Sequence, residues 1–370
     1  MTEASKIRTL IAMGTRPEII KLAPVVWAAR ERSELDVTVC HSGQHTDLAE
    51  PMLSYFEVAP DIELKLHNEK PDLPNLFANC IARFRDVIRE LQPHVVVVQG
   101  DTATTAAIAT CCFLSGNIDV VHVEAGLRTG SLRSPWPEEY NRRVATLSSS
   151  LHCAPTRLAQ DALLAEGVRE KDVVVTGNPV VDALQWTLRR ENIDTEVEKQ
   201  QVVITAHRRE NFGKPMESVC NAILQLADNF PDHEFHFVTH PNPQAGPIVR
   251  KILEGKSRVK LASAMSYPQF VGLLSGSRLV ISDSGGIQEE SPTLGVPLLI
   301  TRDCTERPEV IHAGAAKLVG TDSELIVKEA TRVLADGDNR QKMSVLNNPF
   351  GNGDSGKKIV DLVLERVNIA

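Results

Sequence analysis

Short apolar runs rich in β-branched residues alternate with helix-period stretches along almost the whole chain, and this alternation constrains the fold most. A strand that is apolar at every position must be buried on both faces. Outside membranes that means a parallel sheet covered by helices. A first series of such runs begins at Ile7, Asp36, Val95, Asp119, Leu151 and Asp172; a second begins at Gln201, Glu234, Val259, Arg278, Val296 and Ala315. Amphipathic segments such as "PMESVCNAILQLADNF" and "SELIVKEATRVLADGD" lie between them. Two series predict an α/β protein of two doubly wound, Rossmann-like domains, and 370 residues suit two domains of roughly 150 each. The seam is expected at "TGNPVVDALQ", giving domains 1–177 and 178–350, with 351–370 a closing helix that packs back on the first. Open parallel sheets bind ligands outside the carboxyl ends of their strands. Two such sheets are expected to face each other across a cleft that holds the site.

The formal net charge of −8 argues against nucleic acid or an anionic membrane as the main partner. No apolar run approaches the ~18 residues of a membrane span, and "MTEASKIRTLIAMG" enters a strand without a secretory signal. A cytoplasmic protein is expected. Seven cysteines without a C-x-x-C read as reduced core residues. No Cys/His cluster or H-E-x-x-H offers a metal cage, so no metal is expected.

The tail contains a literal G-x-G-x-x-G at Gly351, Gly353 and Gly356, but "LNNPF" precedes it and one helix ends the chain. A dinucleotide site needs a strand before it and a βαβ unit around it, so NAD is rejected and no cofactor is expected. The informative residues follow the strands. After the first, "MGTRPEIIK" has Gly14 for a tight turn, Pro17 suited to a first helical turn, and Arg16 beside free backbone N–H groups, an anion-binding arrangement. Lys21 reads equally as a solvated helix lysine. After "VVVVQG", Asp101 fits a helix N-cap as well as a catalytic acid. Glu124 ends another strand beside a glycine turn, and "SPWPEEYNRR" sets Glu138, Glu139, Arg142 and Arg143 on an early helical turn. In the second series His207 follows "VVITA" next to Arg208 and Arg209, a phosphate ligand or proton carrier. "SDSGGIQEE" then supplies Ser284, Gly285 and Gly286 for a pyrophosphate at a helix start, and Glu290 for ribose hydroxyls. Arg307 follows the next strand in "RDCTERPE".

The ordered set "GTRPEIIK", "GDTATT", "HVEAGLRTG", "SPWPEEYNRR", "TGNPVVDAL", "HRRENFG", "SDSGGIQEE", "GVPLLITRDCTERPE" and "VGTD" resembles the non-hydrolysing UDP-N-acetylglucosamine 2-epimerases over nearly the whole chain. The resemblance implies the two-domain GT-B fold and metal-free, NAD-free interconversion of UDP-GlcNAc and UDP-ManNAc. It implies elimination of UDP to a 2-acetamidoglucal and re-addition after proton return on the opposite face. Asp101, Glu124 and Glu138 look like the catalytic carboxylates and His207 like a catalytic or phosphate-binding partner; which carboxylate takes the C2 proton stays open. Arg16, Lys21, Arg142, Ser284, Gly285, Gly286, Glu290 and Arg307 look like substrate contacts. Gln44, His45, Arg208 and His240 match parts of a regulatory UDP-GlcNAc site, although the Arg-Gln pair common in relatives is missing from "LHNEKPDLPNLFANC". Homodimers are common in the family. A hydrolysing epimerase that releases UDP and ManNAc, a GT-B glycosyltransferase using a UDP-sugar and a non-catalytic nucleotide-sugar sensor are the rival readings.

Overall fold

The computed structural model describes residues 6–44, 46–66, 72–208, 211–239, 246–344 and 347–369. It divides into two compact units, Met1–Ala183 with Phe350–Ala370, and Leu184–Pro349. The first holds strands β1 (Ile7–Met13), β2 (Leu35–His41), β3 (Ile62–Glu63), β4 (Val95–Gln99), β5 (Asp119–Val123), β6 (Leu151–Ala154) and β7 (Val173–Val175). They form one parallel sheet in the order β3-β2-β1-β4-β5-β6-β7. The second unit holds β8 (Lys199–Thr205), β9 (Glu234–Val238), β10 (Val259–Ala262), β11 (Ser277–Ser282), β12 (Leu298–Ile300) and β13 (Ala316–Leu318). Its parallel order is β10-β9-β8-β11-β12-β13.

The expected doubly wound α/β architecture is therefore present twice. The apolar runs became strands for the reason that exposed them: Val95, Val96, Val97 and Val98 are all buried because helices cover both faces. The two-residue edge strand β3 is the addition, too short to leave a periodic signal. In the second unit the helices Lys214–Asn229 and Ser323–Ala335 turn Met216, Val219, Ile223, Leu226, Ile326 and Val333 onto Phe235, Phe237, Leu279 and Ile281. The spacing is that of one helical face. Among the described residues no helix is long and apolar enough to cross a membrane. All seven cysteines are free, and all but Cys304 are buried.

The closing helix Ser355–Ile369 belongs to the first unit. Gly356 lets it approach the helix Arg16–Arg30 closely: a Cβ there would stand 2.7 Å from the Pro24 carbonyl oxygen. At its other end Arg366 reaches Asp119 (3.3 Å) and Asp172 (2.9 Å). Among the described residues no strand precedes the G-x-G-x-x-G run, whose last glycine serves helix packing.

Both sheets reverse winding direction next to their first strand, between β1 and β4 and between β8 and β11. At such a switch point two loops leave in opposite directions and open a crevice at the carboxyl ends. The residues after β1, β4, β8 and β11 include Arg16, Asp101, His207 and Ser284.

Behind the first crevice, His122 on β5 and His152 on β6 are register partners, both buried. Burial, more than neighbouring charge, lowers the His122 pKa to about 4 and that of His152 to about 3. The unfolded chain binds these protons near pH 6.5 and the folded one does not, so their contribution is present above pH 6.5 and is lost as pH falls toward 4. In urea titrations His152→Gln should show a shallower loss of stability between pH 6.5 and 4 than the parent protein; an identical slope would contradict this.

Candidate active-site residues

In the first unit the switch point presents acids held by cations. Asp101 follows β4 through Gly100, whose N–H donates to the Val123 carbonyl (3.0 Å) and whose carbonyl accepts from His122 Nε2 (2.8 Å). The N-cap of the next helix, Ala103–Ser115, is Thr102 and not Asp101. The Asp101 side chain is instead 25% exposed and paired with Arg142 (2.7 Å), while its carbonyl accepts from Asn141 Nδ2 (2.9 Å). Arg142 is buried and also holds Glu139 (2.8 Å), an ion pair within one turn of the helix Glu138–Ser148. Glu138 is the first residue of that helix and is half-buried.

Glu124 follows β5 with φ 63°, left-handed backbone that costs a non-glycine residue of order 1–3 kcal/mol. Lys21 Nζ and Asn178 Nδ2 (2.8 Å) donate to its Oε2 and hold it there. Lys21 is buried rather than solvated, its partner 103 residues away. Arg16 is half-buried at the start of the helix Arg16–Arg30. Gln44 accepts from the Thr104 hydroxyl (2.6 Å) beside the first turn. Gly14 permits that closeness, since a Cβ there would meet Ser42 Oγ at 2.1 Å.

In the second unit the organising residue is Asp283, which sequence reasoning did not single out. Its carboxylate accepts from the backbone N–H groups of His207 (2.9 Å) and Arg208 (2.9 Å) and from Asn211 Nδ2 (2.9 Å). His207 Nδ1 lies 3.1 Å from it. Burial raises the Asp283 carboxyl pKa, but the His207 hydrogen bond and charge, with the backbone donors, outweigh it and leave it below the ordinary range. A carboxylate facing Nδ1 fixes the tautomer with the proton on that nitrogen. The side chain is 33% exposed.

Ser284 caps the helix Gly285–Leu294, its N–H held by Ser282 Oγ (2.9 Å). The two glycines then differ. A Cβ on Gly285 would stand 2.8 Å from Arg307 Nη1, whereas one on Gly286 would meet nothing closer than 4.0 Å. Gly285 makes room for the guanidinium, and Gly286 leaves the helix start open. Arg307 is buried between Glu289 (2.6 Å) and Glu306 (2.6 Å). Glu306 also binds Arg302 (2.9 Å) and lies 3.7 Å from Arg208. Glu290 accepts from the Tyr267 hydroxyl (2.7 Å). His45, Arg209 and His240 lie outside the described residues.

The UDP-N-acetylglucosamine 2-epimerase family model matches residues 28–364. The Bacillus subtilis UDP-N-acetylglucosamine 2-epimerase is 39% identical over 97% of this chain and 95% of its own. The crystal structure of the UDP-GlcNAc 2-epimerase from Neisseria meningitidis bound to UDP-GlcNAc is 38% identical, with a TM-score of 0.92 over 97% of this chain and 100% of that one. The Methanocaldococcus jannaschii UDP-GlcNAc 2-epimerase in complex with UDP-GlcNAc and UDP is 31% identical, with a TM-score of 0.85 over 97% and 100%.

The asymmetry between the glycines is testable. Gly285→Ala forces a methyl against a guanidinium that two carboxylates hold in place, and should cost about 1–3 kcal/mol. Gly286→Ala should leave stability unchanged or slightly higher, since alanine favours the helix. Chemical denaturation compares them; equal stabilities would refute the close approach of Arg307.

Proposed function

The chain belongs to the UDP-N-acetylglucosamine 2-epimerase family, and on that premise we propose that it interconverts UDP-GlcNAc and UDP-ManNAc without hydrolysis. One observation carries the reading: acids at the carboxyl ends of β4 and β5, each held by its own buried cation, Asp101 by Arg142 and Glu124 by Lys21. The C2 proton of the sugar is not next to a carbonyl, so its removal has to be coupled to loss of UDP from C1. A carboxylate takes the C2 proton, the C–H electron pair forms the C1–C2 double bond, and the C1–O pair leaves on the β-phosphate of UDP. The product is a 2-acetamidoglucal. A proton returned to the other face of C2, with UDP re-adding at C1, completes an isomerisation with no net loss. Proton transfer on two faces calls for more than one acid, and Asp101, Glu124 and Glu138 supply them. On this reading Lys21 and Arg142 act by holding Glu124 and Asp101.

Departing UDP needs preorganised donors. The opened helix start at Ser284 and Gly286, with His207, takes its phosphates, and Glu290 takes the ribose. Arg307 acts from beneath Gly285, as support for the helix start.

Incubation with UDP-GlcNAc in D2O, with EDTA and without NAD, should give UDP-ManNAc carrying deuterium at C2 by NMR. Free ManNAc plus UDP would move the protein to the hydrolysing branch. Unchanged substrate would overturn the reading. Asp101→Asn and Glu124→Gln should each lose at least about 100-fold in turnover, and near-parental rates in both would remove these residues from the chemistry.

The working form is a homodimer. The helix Glu138–Ser148 buries one face and turns Tyr140, Val144 and Leu147 outward at helical spacing. Leu147 is 81% exposed, and Phe113 and Leu114 on the helix Ala103–Ser115 are 64% and 73% exposed. This apolar face is where a second copy docks. Leu147→Glu combined with Phe113→Glu should convert a two-chain mass to a one-chain mass in light scattering; a mass that stays at two chains would place the interface elsewhere.

A further inference from the structure

Glu18 is the third residue of the helix Arg16–Arg30 and is buried. Its Oε2 accepts from the backbone N–H groups of Thr15 (2.6 Å) and Gly14 (3.0 Å). Its Oε1 accepts from the hydroxyls of Thr102 and Thr105, both at 2.8 Å, the latter shared with the Gln99 carbonyl at 2.7 Å. Thr102 is the N-cap of Ala103–Ser115, so one carboxylate closes the N-termini of both helices that leave the β1–β4 switch point. An acid three residues into a helix ordinarily caps only its own helix. Capping alone does not explain a reach of more than eighty residues to a second helix.

All four donors are neutral, and among the described residues no lysine, arginine or histidine pairs with Glu18. Burial pushes its carboxyl pKa above the ordinary range against the pull of those donors. The convergent positive ends of two helix dipoles make a carboxylate tolerable there. Arg16 stands two residues before Glu18, and Asp101 immediately precedes Thr102.

We propose that Glu18 is a positioning residue, an internal anion that occupies the anion-binding end of two helices and fixes Arg16 and Asp101 against each other. The assignment rests on the proposed function in treating Asp101 as catalytic. It also explains why the diphosphate is left to the second unit: the N–H groups of Gly14 and Thr15 are already engaged.

Two variants separate bridging from capping. Glu18→Asp keeps the charge at its own helix start but is one methylene too short to reach Thr102 and Thr105. It should fold normally, bind UDP with unchanged affinity and lose about tenfold or more in kcat, as a small misplacement of an acid would cause. Glu18→Ala leaves a carboxylate-sized gap between two helix N-termini. Added formate should raise its melting temperature and restore part of its turnover while leaving the parent protein unaffected. Parental kcat in Glu18→Asp, or a Glu18→Ala melting temperature blind to formate, would overturn the proposal. Should the parent protein fail to epimerise UDP-GlcNAc, the functional reading falls, and the formate-dependent melting still decides whether an internal anion sits there.

Discussion

A doubly wound parallel sheet brings two helix N-termini to one point, and something must satisfy the backbone donors that converge there. The first unit meets this with a buried carboxylate, and the second uses one to hold the loop that follows β8. In the first it is Glu18, contributed from a helix; in the second it is Asp283, contributed from the end of β11. Each accepts two backbone N–H groups from one loop and side-chain donors besides. The acids are not interchangeable in effect. Glu18 ties together two helices through threonine hydroxyls, whereas Asp283 tethers an imidazole. The first unit thereby gains a rigid platform for acids and the second an oriented histidine beside an open helix start.

The cations are similarly committed. Lys21, Arg142 and Arg307 are each buried against carboxylates. Buried ion pairs are poor stores of stability, because desolvation consumes most of the Coulombic gain. Breaking one, however, leaves an unpaired buried charge. Such pairs hold geometry better than they stabilise a fold, which suits Glu124 in its left-handed backbone and Asp101 with its partly exposed side chain.

The strands were legible because continuous burial writes itself into composition, and Val95–Val98 could hardly be anything else. Their carboxyl-end residues were legible as candidates because function gathers there in this architecture. The pairings were not. Lys21 and Glu124 stand 103 residues apart, and no local pattern marks them as partners. Asp283 sat in plain view within "SDSGG", but an aspartate between two serines reads as turn chemistry until the His207 loop is seen closing on it. Gly285 was expected beside a diphosphate; that its missing Cβ also makes room for Arg307 could not be read from the local sequence.

The commitment of the cations bears on how a chain of net charge −8 handles an anionic ligand. Arg302 and Arg307 with Glu289 and Glu306 set two cations against two carboxylates, a group with no surplus positive charge. On the proposed function, attraction for a diphosphate then comes mainly from aligned N–H groups and the helix dipole. Such donors bind ground state and leaving group with modest strength. Excess fixed positive charge would hold departed UDP more tightly than the substrate, because on the proposed reaction UDP leaves with one more negative charge. In a reversible elimination it would also slow the return of UDP to C1. On the proposed function, neutralising the arginines with carboxylates keeps the leaving group stabilised but not trapped.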